Sequence, residues 1–281
     1  MGLTPLATVA ALALFVPPAP AVGPISVMAY NVLYDSPDIE KSLDAIERAK
    51  PDILCLRELS TPFARAFEKR LGSSFPHRAF FPKSAGTWGV GLASRFPLSS
   101  AVVFEEKPHK LPALQAQVST PSGRALIACL HLFPPVGKHR KSDGFFETMN
   151  KNASLRKKQA EFIVERYSRD HGPLLVVGDM NEGADGAAIR TFEKAGLVRS
   201  CRCEDARCGP TFPGASSMLP AIFEIDHILA RGVEFATARV IREGGSDHFP
   251  VFAAFTLKKE SGPDPSASRG GRVTAPARTR P

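Results

Sequence analysis

Short, fully apolar runs that end in a polar residue constrain this chain more than any other feature. Ile53 to Leu56 is followed by Glu58, and Leu174 to Val177 by Asp179 and Asn181. Four consecutive apolar residues bury both faces of a strand, so each run belongs to a sheet covered on both sides. Between the runs the spacing changes to that of helices. Ile39, Leu43 and Ile46 predict a helix over Ile39 to Ala49, closed by Pro51, and Thr61 to Leu71 reads as a second. Ser154 to Tyr167 is a third, with Leu155, Ala160, Ile163 and Val164 inward. Further strands are expected at Ile25 to Leu33, Gly89 to Ser94, Ala101 to Phe104, Ala113 to Val118 and Arg124 to Leu132, the last two joined through Pro121-Ser122-Gly123. Phe223 to Leu229 and Phe249 to Leu257 are the last strands. This alternation makes an α/β chain, and 281 residues with 43% apolar content suffice for one well-packed domain without staples.

Two ends stand outside that domain. Leu6 to Val16 is an apolar run followed by Pro17, Pro18 and Ala19-Pro20-Ala21, which reads as a signal peptide over residues 1–21, too short to span a bilayer. The expected location is therefore secreted, periplasmic or in the cell envelope. Residues 258–281, rich in Pro, Ser, Gly and Arg, read as a disordered basic tail; six basic against two acidic residues place +4 of the chain's +8 there. Such a tail suits contact with an anionic surface. Residues 22–257 are the folded domain, mildly basic, which does not separate nucleic acid from lipid or small phosphate ester as a partner. Cys55 and Cys129 lie in apolar runs and read as small core residues. Cys201, Cys203 and Cys208 cluster in a polar segment, where export would allow one disulfide from Cys208 to either Cys201 or Cys203. Three thiols without a nearby fourth ligand make a poor zinc site.

Packing alone does not explain Asn31, Glu58, His131, Asp179, Asn181, Asp226, Asp247 and His248, which sit at strand ends or within apolar strands. Burying a polar group without a partner costs roughly 2–7 kcal/mol. Any one of them is ordinary as a turn residue or a cap; eight after successive apolar runs point to a shared polar site.

The segments carrying these residues resemble the endonuclease/exonuclease/phosphatase superfamily. In order they are MAYNVLY around Asn31, PDILCLRELS around Glu58, GVGLASRFPL, CLHL around His131, LLVVGDMNE around Asp179 and Asn181, EIDHIL around Asp226, and GGSDHFPVFA around Asp247 and His248. The resemblance runs from about Ile25 to Leu257. It implies a DNase I-like fold, a four-layer α/β/β/α sandwich of two mainly antiparallel sheets flanked by helices, with the site where strand ends of both sheets meet.

It also implies a Mg²⁺-dependent hydrolase of phosphate esters, with Mn²⁺ as a possible substitute. Asn31 and Glu58 would offer oxygen ligands to the ion, and Asp247 would sit in or beside its ligand shell. Asp179 and Asn181 project to one side of an extended segment, so one can orient or deprotonate water while the other donates to a phosphate oxygen. By the resemblance, Asp226 and His248 form a dyad, with His248 either a phosphate-binding cation or a base. His131 resembles a second histidine that contacts phosphate or protonates the leaving oxygen. His227 alternates to the opposite face and is structural.

The substrate class stays open between nucleic acid, a phospholipid head group and a small molecule, acted on by a monomer. The segment after His131 lacks the Asn-x-Tyr-x-Pro-Asn element of abasic-site endonucleases, which disfavours DNA repair. A DNase-like nuclease, a sphingomyelinase-like phospholipase C and a non-catalytic binding module of the same fold are the alternatives. Lys138 to Lys141 is a basic run suited to phosphate, and Trp88 is either a cleft or a packing aromatic.

Overall fold

The structure is a computed structural model and describes residues 23–84, 86, 88–135 and 145–258. The leader, the tail from residue 259 onward and the basic run Lys138 to Lys141 lie outside the described residues. The described chain opens with β1 (Ile25–Asn31), α1 (Ile39–Ala49), β2 (Ile53–Arg57), α2 (Thr61–Leu71), β3 (His77–Phe81) and β4 (Val90–Ser94). It continues through β5 (Leu98–Phe104), β6 (Ala113–Thr120), β7 (Gly123–His131), α3 (Phe145–Arg166), β8 (Leu174–Asp179) and α4 (Ala187–Lys194). The remaining strands are β9 (Val198–Arg199), β10 (Asp205–Arg207), β11 (Asp226–Arg231), β12 (Val233–Val240) and β13 (Val251–Leu257).

Two sheets form, one of seven strands in the order β10-β12-β13-β1-β2-β4-β3 and one of six in the order β5-β6-β7-β8-β11-β9. Most neighbours run antiparallel. The exceptions are β1 with β2, β7 with β8 and β10 with β12. Strand alternation sorts the side chains into three apolar layers. Val27, Ala29, Ile53 and Cys55 of the first sheet meet Ile127, Cys129, Val177 and Ile228 of the second in the central layer. The outward side chains Met28, Tyr30, Leu54 and Leu56 pack under Leu43 and Ile46 of α1 and Phe63 and Phe67 of α2. On the other side Leu130, Val176 and Leu229 pack under Ala160 and Ile163 of α3 and Ile189 and Phe192 of α4. The chain is thus the expected α/β/β/α sandwich.

Local signals explain the helix starts. The Asp38 side chain accepts from Lys41 N at 3.0 Å ahead of α1, and Ser60 caps α2 with Pro62 in its first turn. Several boundaries differ from the sequence expectation. Helix α3 begins at Phe145, nine residues before Ser154; β11 starts at Asp226 rather than Phe223; and β12 stands between the two strands expected to be consecutive. Helix α4 was not expected, because it is only 8 residues long and opens at Gly186 without a side-chain cap.

The cysteines pair more fully than expected. Cys201 is bonded to Cys208, one of the two pairings left open, and Cys203 is free. Cys55 and Cys129 are core residues, as anticipated, but they are also bonded to each other across the central layer, with Cα atoms 5.8 Å apart. Alternation places each on an inner face; it does not show that the two faces bring them opposite.

Candidate active site

At one end of the sandwich the central layer turns polar. Two residues beyond Ala29, Cys55, Cys129 and Val177 on the inward parity come Asn31, Arg57, His131 and Asp179, and two before Ile228 comes Asp226. All five are buried. Register draws them together: Asn31 neighbours Arg57 across β1 and β2, while Asp179 neighbours both His131 on β7 and Asp226 on β11.

The other candidate residues enter from loops. Glu58 follows β2, and its left-handed backbone (φ 53°) turns the side chain back toward β1 instead of continuing the strand's alternation. Asn181 has the same conformation, φ 49°, just past β8. Two non-glycine residues held in this sparsely populated region mark backbone shaped for the site. Asp247 and His248 lie between β12 and β13, and Ser246 fastens that loop by donating from Oγ to Asn31 O at 2.7 Å and accepting from His248 N at 3.1 Å.

The side chains form one network. Asn31 Nδ2 donates to Glu58 Oε1 and to Asp179 Oδ2, both at 3.1 Å, while its Oδ1 accepts from Leu33 N. Asp179 Oδ1 accepts from Asn181 N at 2.8 Å, and His131 Nε2 lies 3.4 Å from its Oδ2. His248 stands between two carboxylates, with Nδ1 at 2.8 Å from Asp226 Oδ2 and Nε2 at 3.7 Å from Asp179 Oδ2. Asn181 Nδ2 is tied to Leu132 O at 3.0 Å. His227 faces away and meets Glu182 O at 2.9 Å through Nε2, which suits its structural assignment.

Burial and charge set the protonation states. Burial works against a charged imidazole at His248, but Asp226, Asp179 and Asp247 outweigh it and raise its pKa to about 10, so it is a cation at neutral pH. Burial pushes His131 down to about 4 despite Asp179, and this ring is neutral. Glu58 is pushed up to about 7 by burial, a shift that its bond from Asn31 only partly offsets. Asp247 is also raised, again chiefly by burial.

The donor set suits a hard divalent cation on the Glu58 side. Glu58 and Asp179 are buried carboxylates sharing one amide group, and burial, with the Asp179 charge beside it, makes Glu58 hard to ionise. For Asn31 to join Glu58 as an oxygen ligand, its amide must turn over, because Nδ2 now faces both carboxylates. A second grouping, Asp179, Asp226 and His248, offers ligand atoms within 4.8 Å of one another. Both of its imidazole nitrogens already face carboxylates and the ring is cationic, so its own proton occupies that place.

A cleft of about 590 Å³ opens onto Glu58, His131, Asp179, Asn181 and His248. Trp88 lines it with 43% of its surface exposed, which assigns it to the cleft rather than the core. Residues 28–248 match the sequence profile of the endonuclease/exonuclease/phosphatase family, a span that holds every residue of this site. The chain belongs to that family. Its members are hydrolases that act on phosphate esters. A search of curated protein sequences finds no significant match.

Solved structures place this family member among relatives of the same fold. An endonuclease/exonuclease/phosphatase from Bacteroides vulgatus superposes with a TM-score of 0.66 at 17% identity, covering 84% of this chain and 99% of that one. One from Beutenbergia cavernae gives 0.65 at 19%, covering 84% and 72%. A mannosyl-6-phosphatase from Bacteroides thetaiotaomicron gives 0.61 at 16%, covering 83% and 100%. At these identities the likeness carries the fold.

Within the family site, Arg57 and Lys110 escaped the sequence reading. Arg57 is buried with none of its three guanidinium nitrogens hydrogen-bonded, close enough to Asp179 and Glu58 to feel both charges. Burial nevertheless lowers it to about 9. Its signal was present, since it stands two residues after Cys55 on the inward parity. Lys110 lines the cleft with its Nζ 4.7 Å over the Phe133 ring; it lies in a segment without periodicity, and no sequence signal marked it.

Proposed function

We propose that the chain is a metal-dependent phosphoric ester hydrolase, a phosphodiesterase or phosphatase, in which water attacks phosphorus. The observation that carries this is the imidazolium of His248, held between Asp226 and Asp179 at the floor of a cleft that also exposes Glu58. A fixed cation beside oriented carboxylates suits a substrate that is itself anionic. His248 holds a phosphoryl oxygen through its positive charge, and Asp226 fixes the ring's orientation and keeps it protonated. Asp179, aligned by Asn31 and Asn181, orients the attacking water and takes its proton. His131, neutral and adjacent, donates toward the ester oxygens.

Glu58, with Asp247 and the turned amide of Asn31, would hold Mg²⁺ or, in its place, Mn²⁺. Once bound, such an ion would neutralise phosphate charge and stabilise the leaving oxygen. The chemistry of the donors supports this: oxygen ligands, with one or two carboxylates, are what Mg²⁺ takes. Two disulfides support export to an oxidising compartment, in line with the leader at residues 1–21.

Purified protein is expected to hydrolyse bis-p-nitrophenyl phosphate with added Mg²⁺, to stop in EDTA and to recover with Mg²⁺ or Mn²⁺. Parallel assays on plasmid DNA, RNA, sphingomyelin vesicles and sugar phosphates distinguish the substrate classes. Undiminished turnover in EDTA would remove the metal from this proposal.

A further inference from the structure

Beside the catalytic cleft lies a second pocket of about 560 Å³, and the two share Pro134, Asn181 and His248. Its walls are of a different character. Pro135, Met149, Phe212, Phe223 and Ile225 give it apolar surfaces. Arg156, which lines it together with the His248 cation, is engaged with Glu182 at 2.8 Å and with Phe133 O at 3.1 Å. Asn181 spends its amide on Leu132 O. Nε and Nη1 of Arg156 and Nδ2 of Asn181 are therefore already engaged, whereas the other cleft carries Lys110 and Trp88.

The apolar wall begins at the catalytic imidazole. The Phe212 ring centroid is 5.0 Å from that of His248, tilted by 49°. A substituent of a phosphate held by His248 that extends toward this side meets Phe212 first. Of its lining residues, Met149 and Phe223 are 38% and 53% exposed. Apolar side chains left in water around one concave pocket mark a place that a ligand covers.

We propose that this pocket receives an apolar ester group of the substrate, an alkyl chain or an aryl ring carried on the phosphate bound at His248. The proposal rests on the assignment of His248 as the phosphoryl site. It narrows the substrate to phosphate esters that are polar on the Lys110 side and apolar on the Phe212 side.

The test is a binding series of methyl-, butyl-, hexyl- and phenylphosphonate, whose P–C bond is not hydrolysed, measured calorimetrically with Mg²⁺ on the intact protein. Turnover of bis-p-nitrophenyl phosphate is followed in parallel. Each methylene that leaves water improves binding by up to about fourfold, so Kd is expected to fall at least about tenfold from methyl to hexyl. Two variants should flatten that slope. Phe223→Ser removes an exposed wall. Gly183→Leu fills the pocket from a lining residue where an added Cβ meets nothing nearer than Glu224 O at 3.9 Å. Val198→Ser, at an equally exposed apolar residue on β9, should keep the slope. Equal Kd values along the series, or a slope that survives both pocket variants, overturns the subsite. A slope that both pocket variants abolish, in a protein that hydrolyses no ester, upholds the subsite and rejects the catalytic proposal.

Discussion

His248 Nδ1 lies 2.8 Å from Asp226 Oδ2, and Asp226 is the direct cross-strand partner of Asp179. Two carboxylates facing each other across an antiparallel pair repel; the imidazolium between them turns that repulsion into a clamp on its own proton. Asp226→Asn should therefore release the proton more easily. The working form is the cation, so activity is lost as pH rises through the His248 pKa, raised here to about 10. Removing one negative charge lowers that pKa, and the alkaline limb of the pH–rate profile should move down by about one unit or more. The rate near neutrality should fall by on the order of a hundredfold. An unmoved limb would show that Asp226 does not set the charge of His248.

Glu58 makes the metal-free protein sensitive to pH. Its folded pKa is about 7 against an ordinary 4.5, so between those values the folded state keeps a proton that the unfolded chain has released. Stability contributed by this group is thus lost as pH rises through that window. In EDTA, Glu58→Gln should match the parent near the bottom of the window and exceed it by on the order of 1–3 kcal/mol at its top. Urea unfolding at both ends of the window measures this, and Mg²⁺ should stabilise only the parent.

Arg57 places a buried positive charge behind Glu58 and Asp179. Near a bound divalent cation this charge repels. Arg57→Gln should therefore lower the Mg²⁺ concentration for half-maximal activity by on the order of tenfold at about pH 8, above the parent's Glu58 value of about 7 and below the Arg57 value of about 9. An unchanged Mg²⁺ dependence would separate Arg57 from the metal.

Gly178 immediately precedes Asp179 and has φ 143°; a Cβ there would stand 2.0 Å from Leu130 O. Neither the backbone nor β7 can yield without shifting His131. Gly178→Ala should cost more than about 3 kcal/mol and remove activity together with stability, seen as a lowered Tm and a lost cooperative transition.

Much of this was legible in the sequence because burial and alternation are local properties. Asp179 follows Val177, and His131 follows Cys129, at a spacing of two, so their places on the inner face could be read from apolar neighbours. Glu58 could be named but not aimed, since its turn at φ 53° reverses the direction that alternation implies. Arg57 was passed over because the apolar run was ended at Leu56, one residue before the strand itself ends. Strand β12 was lost because its exposed face carries Glu234 and Arg239 next to short apolar side chains, which weakens the two-residue period. The Cys55–Cys129 bond and the apolar pocket at Phe212 depend on which strands and loops meet, and spacing along the chain carries no record of that.

The most direct test is hydrolysis of bis-p-nitrophenyl phosphate by the parent and by a Glu58→Ala, His248→Ala double variant, each with Mg²⁺ and with EDTA. The parent should turn over with Mg²⁺ alone, and the folded double variant should show no turnover above buffer under either condition. Mg²⁺-dependent hydrolysis that persists in the double variant would show that the chemistry takes place elsewhere.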